Sequence, residues 1–360
     1  MSNINANKIK SKIINTESIN SFDANSRNLV TNSLDANIIN SNTTNTTNLT
    51  INGLNEIYYS DTGNILITDS VLPNNGSLNT IIGIDSFIVN TSGNYNVVYG
   101  SGALEANSTG SSNVAIGVTA LQQNTTGDRN IGIGQSAMFS NTTGSDNIAI
   151  GFNLLGNNTI GSNNLAMGSS AGINEIRSNN TYLGYNSGPI SIPSTTSGGN
   201  NTCLGANAKT SISNANNEIT LGDSNIETLR CNAPLTTLSD IRDKEDIEPL
   251  DLGIEFINQL KPCKFKWDKR EWYEGGIKDG SKKSNIQTAG FIAQDLKQTQ
   301  EDNNASYLRL VYDANKNKLE ATPSNLIPII IKSIQELSEK VRILAVENEE
   351  LRNEIAILKK

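Results

Sequence analysis

From residue 81 to residue 235 the apolar and polar positions of the chain recur with a period of seventeen. Gly93, Gly110, Gly127, Gly144 and Gly161 keep that interval, as do Asn96, Asn113, Asn130, Asn147 and Asn164, and Gly100, Gly117, Gly134, Gly151 and Gly168. Between the asparagine and the second glycine lies an apolar triplet, Val97-Val98-Tyr99 in the first copy and Ile148-Ala149-Ile150 in the fourth. A second apolar step follows at Ala103-Leu104, Ala120-Leu121, Ala137-Met138 and Leu154-Leu155, and each copy then closes on an Asn-(Ser/Thr)-Thr or Asn-Asn-Thr turn. A fixed period of two short strands separated by Gly and Asn corners predicts a β-solenoid, since small corner residues tolerate positive φ. One coil cannot bury its own apolar side, whereas stacked coils make a continuous column. Later copies are degenerate: Asn180-Thr-Tyr-Leu-Gly184, Asn201-Thr-Cys-Leu-Gly205 and Glu218-Ile-Thr-Leu-Gly222.

The pattern changes on either side. Over 1–80, single apolar residues (Ile4, Ile9, Ile14, Ile19, Leu29, Leu34, Ile39) stand about five apart in Asn, Ser and Thr, a spacing that matches neither helix nor strand. A β-structured fibrous stem and a disordered polar arm both accommodate it. Over 236–325 the reading is a small α+β domain. It has an amphipathic helix from Leu250 to Leu260, a half-buried strand carrying Phe265 and Trp267, a glycine- and lysine-rich loop from Tyr273 to Asn285, a short buried strand at Gly290-Phe291-Ile292-Ala293, and another through Leu308, Leu310 and Tyr312. Over 326–360, Ile334, Leu337, Val341, Leu344, Asn348, Leu351, Ile355 and Leu358 alternate steps of three and four. That spacing predicts a coiled-coil helix with Ile334, Val341, Asn348 and Ile355 at a and leucines at d, and hence self-association. The chain therefore reads as mainly β: an elongated solenoid body, a small α+β domain and a terminal coiled coil.

Composition narrows the chemistry. With 36% hydrophobic and 5% aromatic residues, the 360-residue chain cannot fill one large core, which suits a narrow repeated column. A net charge of −8 without a basic cluster argues against nucleic-acid binding. There is no histidine, which excludes Ser-His-Asp and Cys-His catalysis and removes the commonest zinc ligand. Cys203, Cys231 and Cys263 lack metal spacing and read as reduced thiols. Neither metal nor cofactor is expected. Gly132-Ile133-Gly134 has no Walker lysine, so it reads as a corner rather than a phosphate loop. The start, Met1 to Lys10, lacks the apolar core of a secretory signal, and the apolar run Leu326 to Ile331 is too short to span a bilayer, so no membrane insertion is expected.

At the boundary between the repetitive and the charged halves stands Leu238-Ser239-Asp240-Ile241-Arg242-Asp243-Lys244-Glu245-Asp246-Ile247-Glu248-Pro249-Leu250. This stretch resembles the start of the endosialidase-type intramolecular chaperone domain, a self-cleaving serine peptidase family at the C-termini of phage and viral fibres. The resemblance continues through Leu260-Lys261-Pro262-Cys263-Lys264-Phe265-Lys266-Trp267 and Gly290-Phe291-Ile292-Ala293-Gln294-Asp295. It implies a domain that helps three chains fold in register and then removes itself, with Ser239 as nucleophile, Lys244 as base and the cut between Leu238 and Ser239. The repeat block Asn-x-Ala-Ile-Gly also resembles the head repeats of trimeric autotransporter adhesins and viral fibres.

The residues allow an independent argument. A serine hydroxyl needs a neighbouring base, and without histidine that base is a lysine held neutral by burial. An exposed i, i+4 ion pair between Asp240 and Lys244 is the competing local reading, while Arg242 and Asp243 either position the turn or stand as solvated charges, the second being favoured. At i and i+5, Ser239 and Lys244 lie about 140° apart on a helix and on opposite faces of a strand. Either the chain bends between them or the lysine comes from another subunit. On the coiled coil, β-branched a residues with Leu at d and one Asn favour dimers, whereas the resemblance implies trimers. The expectation is a viral, fibre-like homotrimer carried in the virion and assembled in the host cytoplasm, with a host surface receptor or glycan as a further partner. A non-cleaving trimeric surface adhesin with an inactive chaperone domain is the alternative. A membrane-bound transcription factor would need a basic DNA-binding domain, and a polysaccharide-degrading spike would need acidic pairs and aromatic platforms.

Overall fold

A computed structural model describes residues 49–51, 54–59, 64–67 and 76–359. The pattern from Ile4 to Ile39 lies outside them. The described chain begins with β1 (Leu49–Ile51), β2 (Leu54–Tyr59) and β3 (Ile65–Ile67), paired antiparallel. From β3 on, every pairing in this sheet is parallel: β4 (Thr80–Ile82), β5 (Val97–Tyr99), β6 (Val114–Ile116), β7 (Ile131–Ile133), β8 (Ile148–Ile150), β9 (Leu165–Met167), β10 (Thr181–Leu183), β11 (Thr202–Leu204) and β12 (Ile219–Leu221) stack in chain order. This is a β-solenoid. At the usual strand spacing its parallel sheet runs about 43 Å.

Each regular coil carries one strand of this sheet, not two. The second apolar step turns instead: Leu104, Leu121, Met138 and Leu155 have φ of 52°, 53°, 52° and 47°. Left-handed backbone is incompatible with an extended strand. The side chains distinguish the two steps, because the strand triplets are rich in Val and Ile whereas the turning pairs contain only Ala, Leu and Met. Both steps still feed the core, and Ala120, Leu121, Ala137, Met138, Leu154 and Leu155 are fully buried. From β4 to β11 the middle residue of each strand points into the same column. A Cβ added to Gly132 would come within 3.2 Å of Leu121 Cγ. At the corner after the strand, Gly134 has φ of 125°, and a Cβ there would meet the Gly151 carbonyl oxygen at 2.0 Å.

Two ladders of buried asparagines run through the column. In the first, Asn130 N donates to Asn113 Oδ1 at 2.9 Å and Asn130 Nδ2 donates to Gly144 O at 2.8 Å, while Asn147 N and Nδ2 both donate to Asn130 Oδ1 at 3.1 Å. In the second, Asn124 Nδ2 donates to Asn107 Oδ1 at 2.8 Å and Asn141 Nδ2 to Asn124 Oδ1 at 2.8 Å. This second ladder uses the asparagines of the Asn-x-Thr turns, which the sequence pattern marks only as corners. An amide both donates and accepts, so it passes a bond from coil to coil. Among the described residues every buried side-chain nitrogen and oxygen has a partner.

Both ladders end where a carboxylate replaces the amide, because a carboxylate has no N–H to hand on. Glu175 stands seventeen residues after Asn158, the last asparagine of the second ladder. Its Oε1 accepts from Arg177 N at 2.8 Å and Arg177 Nε at 2.9 Å, and its Oε2 accepts from the Tyr182 hydroxyl and from Arg177 Nη2 at 3.1 Å. Arg177 Nη1 crosses to Ala215 O at 2.7 Å. Glu175, Arg177 and Tyr182 are all fully buried, and burial pushes the Tyr182 phenol upward so that it stays a neutral donor. The coil register changes at this point, Leu165 pairing with Thr181 and Thr181 with Thr202. Glu218 ends the first ladder: its N–H still donates to Asn201 Oδ1 at 3.1 Å, but its carboxylate accepts from Ser211 N and Ser211 Oγ.

The C-terminal region is small and mixed. β13 (Cys263–Lys266) pairs antiparallel with β14 (Gln287–Gly290), and β15 (Val311–Tyr312) with β16 (Glu320–Ala321). Helices α1 (Ile254–Ile257), α2 (Ala293–Asp302) and α3 (Ile327–Leu358) complete it around Phe256, Ala305, Leu308, Leu310, Leu326 and Ile329. The helix expected from Leu250 shrinks to four residues. Gly253 (φ −140°, ψ −133°) interrupts it, and Glu336 Oε2 accepts from Ile254 N at 2.9 Å where a Cβ on Gly253 would collide. The expected strand at Gly290 stops there, and the next residues lead into α2, whose buried face of Leu296, Thr299 and Gln300 carries little apolar signal. Left-handed Arg309 (φ 48°) divides the expected Leu308–Tyr312 strand into a 3₁₀ turn and β15. Helix α3 packs through Ile329 and Ser333, whereas Ile334, Leu337, Val341, Leu344, Leu351, Ile355 and Leu358 stand exposed in the single chain.

Candidate functional site

After β12 the chain runs from Glu227 to Ser239 without regular structure and fully exposed, so the Leu238–Ser239 peptide bond is open to solvent. A single 3₁₀ turn, Ile241–Asp243, then reverses it. Asp240 caps this turn, its Oδ1 accepting from Arg242 N at 2.9 Å, which satisfies an amide that a turn start would leave unpaired. Arg242 closes the clasp from outside, with Nε donating to Asp240 Oδ1 at 3.0 Å and Nη2 to Oδ2 at 2.6 Å. The Arg242 guanidinium holds the Asp240 carboxyl below the usual carboxylate range. Lys244 then returns to extended backbone, its N–H donating to Ile241 O at 3.2 Å.

This bend overcomes the i, i+5 separation. Lys244 Nζ donates to Ser239 Oγ at 2.6 Å within one chain. The alternative i, i+4 pairing is not formed, because Asp240 is engaged by Arg242. Arg242 is thus both solvated, its side chain 84% exposed, and placed to position the turn through its clasp on Asp240. Its signal in the sequence was the Asp-x-Arg step immediately after the serine, which spacing rules for helices and strands do not read.

Chemically, the pair has reach but little shelter. Ser239 and Lys244 are both exposed in the single chain. For lysine to take the hydroxyl proton it must be the neutral amine, the form that burial favours. The seam residues of α3 share this incompleteness. Asn348 is exposed and turns its amide back to Leu344 O at 2.9 Å. Among the described residues no group of His, Cys, Asp and Glu is arranged to hold a metal, and no helix is long and apolar enough to cross a membrane. The three cysteines are unpaired thiols, and burial pushes that of Cys203 up to about 11.

Residues 239–304 match the family described as chaperone of endosialidase, a family of self-cleaving chaperone domains, and the match begins at the serine held by Lys244. No curated protein and no solved structure matches the chain. This match, in the region that follows a solenoid body, supports a chaperone-type fibre protein.

Proposed function

We propose that the chain is a viral fibre protein, carried in the virion as a homotrimer, whose C-terminal domain aligns three copies and then cuts itself free between Leu238 and Ser239. The 2.6 Å contact from Lys244 Nζ to Ser239 Oγ, at the first residue of the family match, carries this reading. Neutral Lys244 takes the hydroxyl proton as Ser239 Oγ adds to the Leu238 carbonyl carbon. The C–N bond then breaks, the Ser239 nitrogen takes up a proton, and Leu238 is left as an ester on the serine. Water hydrolyses that ester, restoring the hydroxyl and releasing the Leu238 carboxylate.

Trimerisation is the source of the missing shelter. The exposed heptad seam of α3 offers one contact surface. The outward flanks of the strand triplets offer another, with Val97, Ile150, Met167, Ile219 and Leu221 exposed along one face of the sheet. Copies packed there would surround the linker that carries Ser239 and Lys244. Cutting waits for assembly because only assembly can bury the lysine.

Intact-mass measurement on folded wild type, Ser239→Ala and Lys244→Ala tests the mechanism. Fragments 1–238 and 239–360 are expected from wild type alone. A folded, oligomeric wild-type chain that stays full length would leave the domain as a non-cleaving chaperone and remove the dyad.

A further inference from the structure

The C-terminal domain reaches back across the linker to the last coils of the solenoid. Lys269 Nζ donates to Ser224 O, and Trp272 Nε1 donates to Asn225 Oδ1 at 3.1 Å. On a second arm, Asn315 Nδ2 donates to Ser211 O at 3.2 Å, and the Tyr312 hydroxyl lies 3.1 Å from Ser211 Oγ. The arms are tied together by Lys318 Nζ to Glu271 Oε1 at 2.7 Å and by Arg270 Nη2 to Asn317 O. Lys269 is braced between indoles, 5.1 Å from the Trp267 ring centroid and 5.3 Å from that of Trp272.

All the solenoid groups in this contact precede the cut, and all the domain groups follow it. They lie where the column ends. β12 is the last strand of the stack, and Glu218 has just closed the first asparagine ladder onto Ser211, the same residue that the second arm grips. An uncovered last strand is an open template for further pairing.

We propose that this domain is an end cap docked on the last two coils, so that breaking the Leu238–Ser239 bond cuts a tether and leaves the two fragments bound through Ser211, Ser224 and Asn225. Release is then a separate, non-covalent step. The α3 helix cannot hold the fragments together, because it lies wholly in the downstream one. The cut invoked rests on the proposed self-cleavage, whereas the docking does not.

The test separates the two. In the Ser239→Ala chain, a protease site placed in the exposed linker at 229–235 is cut with an added protease, and the products are run on size exclusion at micromolar concentration. Co-elution of the fragments is expected. The triple variant Lys269→Met, Trp272→Phe, Tyr312→Phe removes three of the hydrogen-bonding groups while keeping most of the side-chain volume. It should weaken the complex by up to about tenfold per lost bond, so that the fragments separate. Equal separation of both chains after cutting overturns the cap, whether or not wild type cuts itself. Hydrogen exchange on the same cut chain needs no interface substitution: amides of 211–225 should remain as protected after cutting as before, and a rise to the rate of the free solenoid fragment overturns the proposal. Failure of wild type to self-cleave while the cut variant stays docked would sink the dyad and leave the cap standing.

Discussion

The solenoid and the segment after it solve the same problem, polar groups on a folded chain, in opposite ways. In the body the amides of Asn113, Asn130 and Asn147 are buried and saturate one another and the backbone, so a single chain completes its own hydrogen bonding. At the turn after the linker Asp240, Arg242, Ser239 and Lys244 also pair, but none of them is buried. Burial makes the difference, because an unmade bond is costly only where water cannot replace it. The body therefore has rigidity to lose by mutation, and under the proposed mechanism the turn has reactivity to gain by assembly.

The contrast breaks most sharply at the ion pairs. Glu175→Ala would leave the guanidinium of Arg177, fully buried, without its carboxylate and would leave the Tyr182 hydroxyl without an acceptor. The expected loss is about 4 kcal/mol, read as a lower denaturation midpoint by circular dichroism. Glu339→Ala removes a partner of similar geometry, 2.7 Å from Arg342 on the exposed helix, and should leave the midpoint unchanged. Equal shifts from the two variants would mean that the 175–182 cluster is open to water and that the carboxylate does not end the ladder.

How much of this was legible depends on whether the signal repeats. Seventeen-residue spacing marked the coils, since identical residues must stack on identical neighbours. The strand at Val114-Ala115-Ile116 was readable from its β-branched flanks. Ala120-Leu121 was misleading as a second strand, because left-handed φ at Leu121 is dictated by stacking between coils and leaves no local trace beyond the missing β-branched residue. The second ladder hid for a related reason: Asn124 in an Asn-Thr-Thr turn looks the same whether it faces water or the core. In the C-terminal region contacts distant in sequence took over. Glu336 against Gly253 shortened α1, and Gln300, buried to accept from Leu310 N at 2.8 Å, made α2 look polar. Ser239 and Lys244 were singled out by resemblance rather than by periodicity. The turn that joins them depends on an aspartate cap two residues before the arginine it holds, a unit too short for periodicity to detect.

Asparagines sharpen the comparison at smaller cost. Asn130→Ala deprives Asn147 N of its acceptor and removes one of the two amide donors to Gly144 O, the other coming from Asn141 at 3.0 Å. With one buried amide orphaned and a small void left, about 3 kcal/mol should be lost. Asn348→Ala, on the exposed helix, should change the stability of the isolated chain by no more than about 0.5 kcal/mol. Denaturation of both variants decides it. A loss below 1 kcal/mol for Asn130→Ala would mean that water enters the column and takes the place of the amide.

The smallest effect belongs to the Ile241–Asp243 turn and is read in the rate of the proposed cut. Asp240 touches neither the scissile carbonyl nor, through its side chain, the Ser239 hydroxyl; it pins Arg242 N and so sets where Lys244 returns. Asp240→Ala removes the cap and the Arg242 clasp together, and self-cleavage should slow about fivefold, as a turn that must be found by chance holds Nζ near Oγ for less of the time. Asp240→Asn keeps an oxygen for the Arg242 amide while discarding the charge, so it should recover most of the rate. A purely electrostatic role would predict the reverse, with Asn as slow as Ala and the difference vanishing in high salt. Oligomeric mass of all three chains should be equal, because Asp240 is not part of the α3 seam. Should Asp240→Ala cut at the wild-type rate, the 3₁₀ turn would not be the device that brings the pair together, and subunit packing alone would have to align lysine and serine.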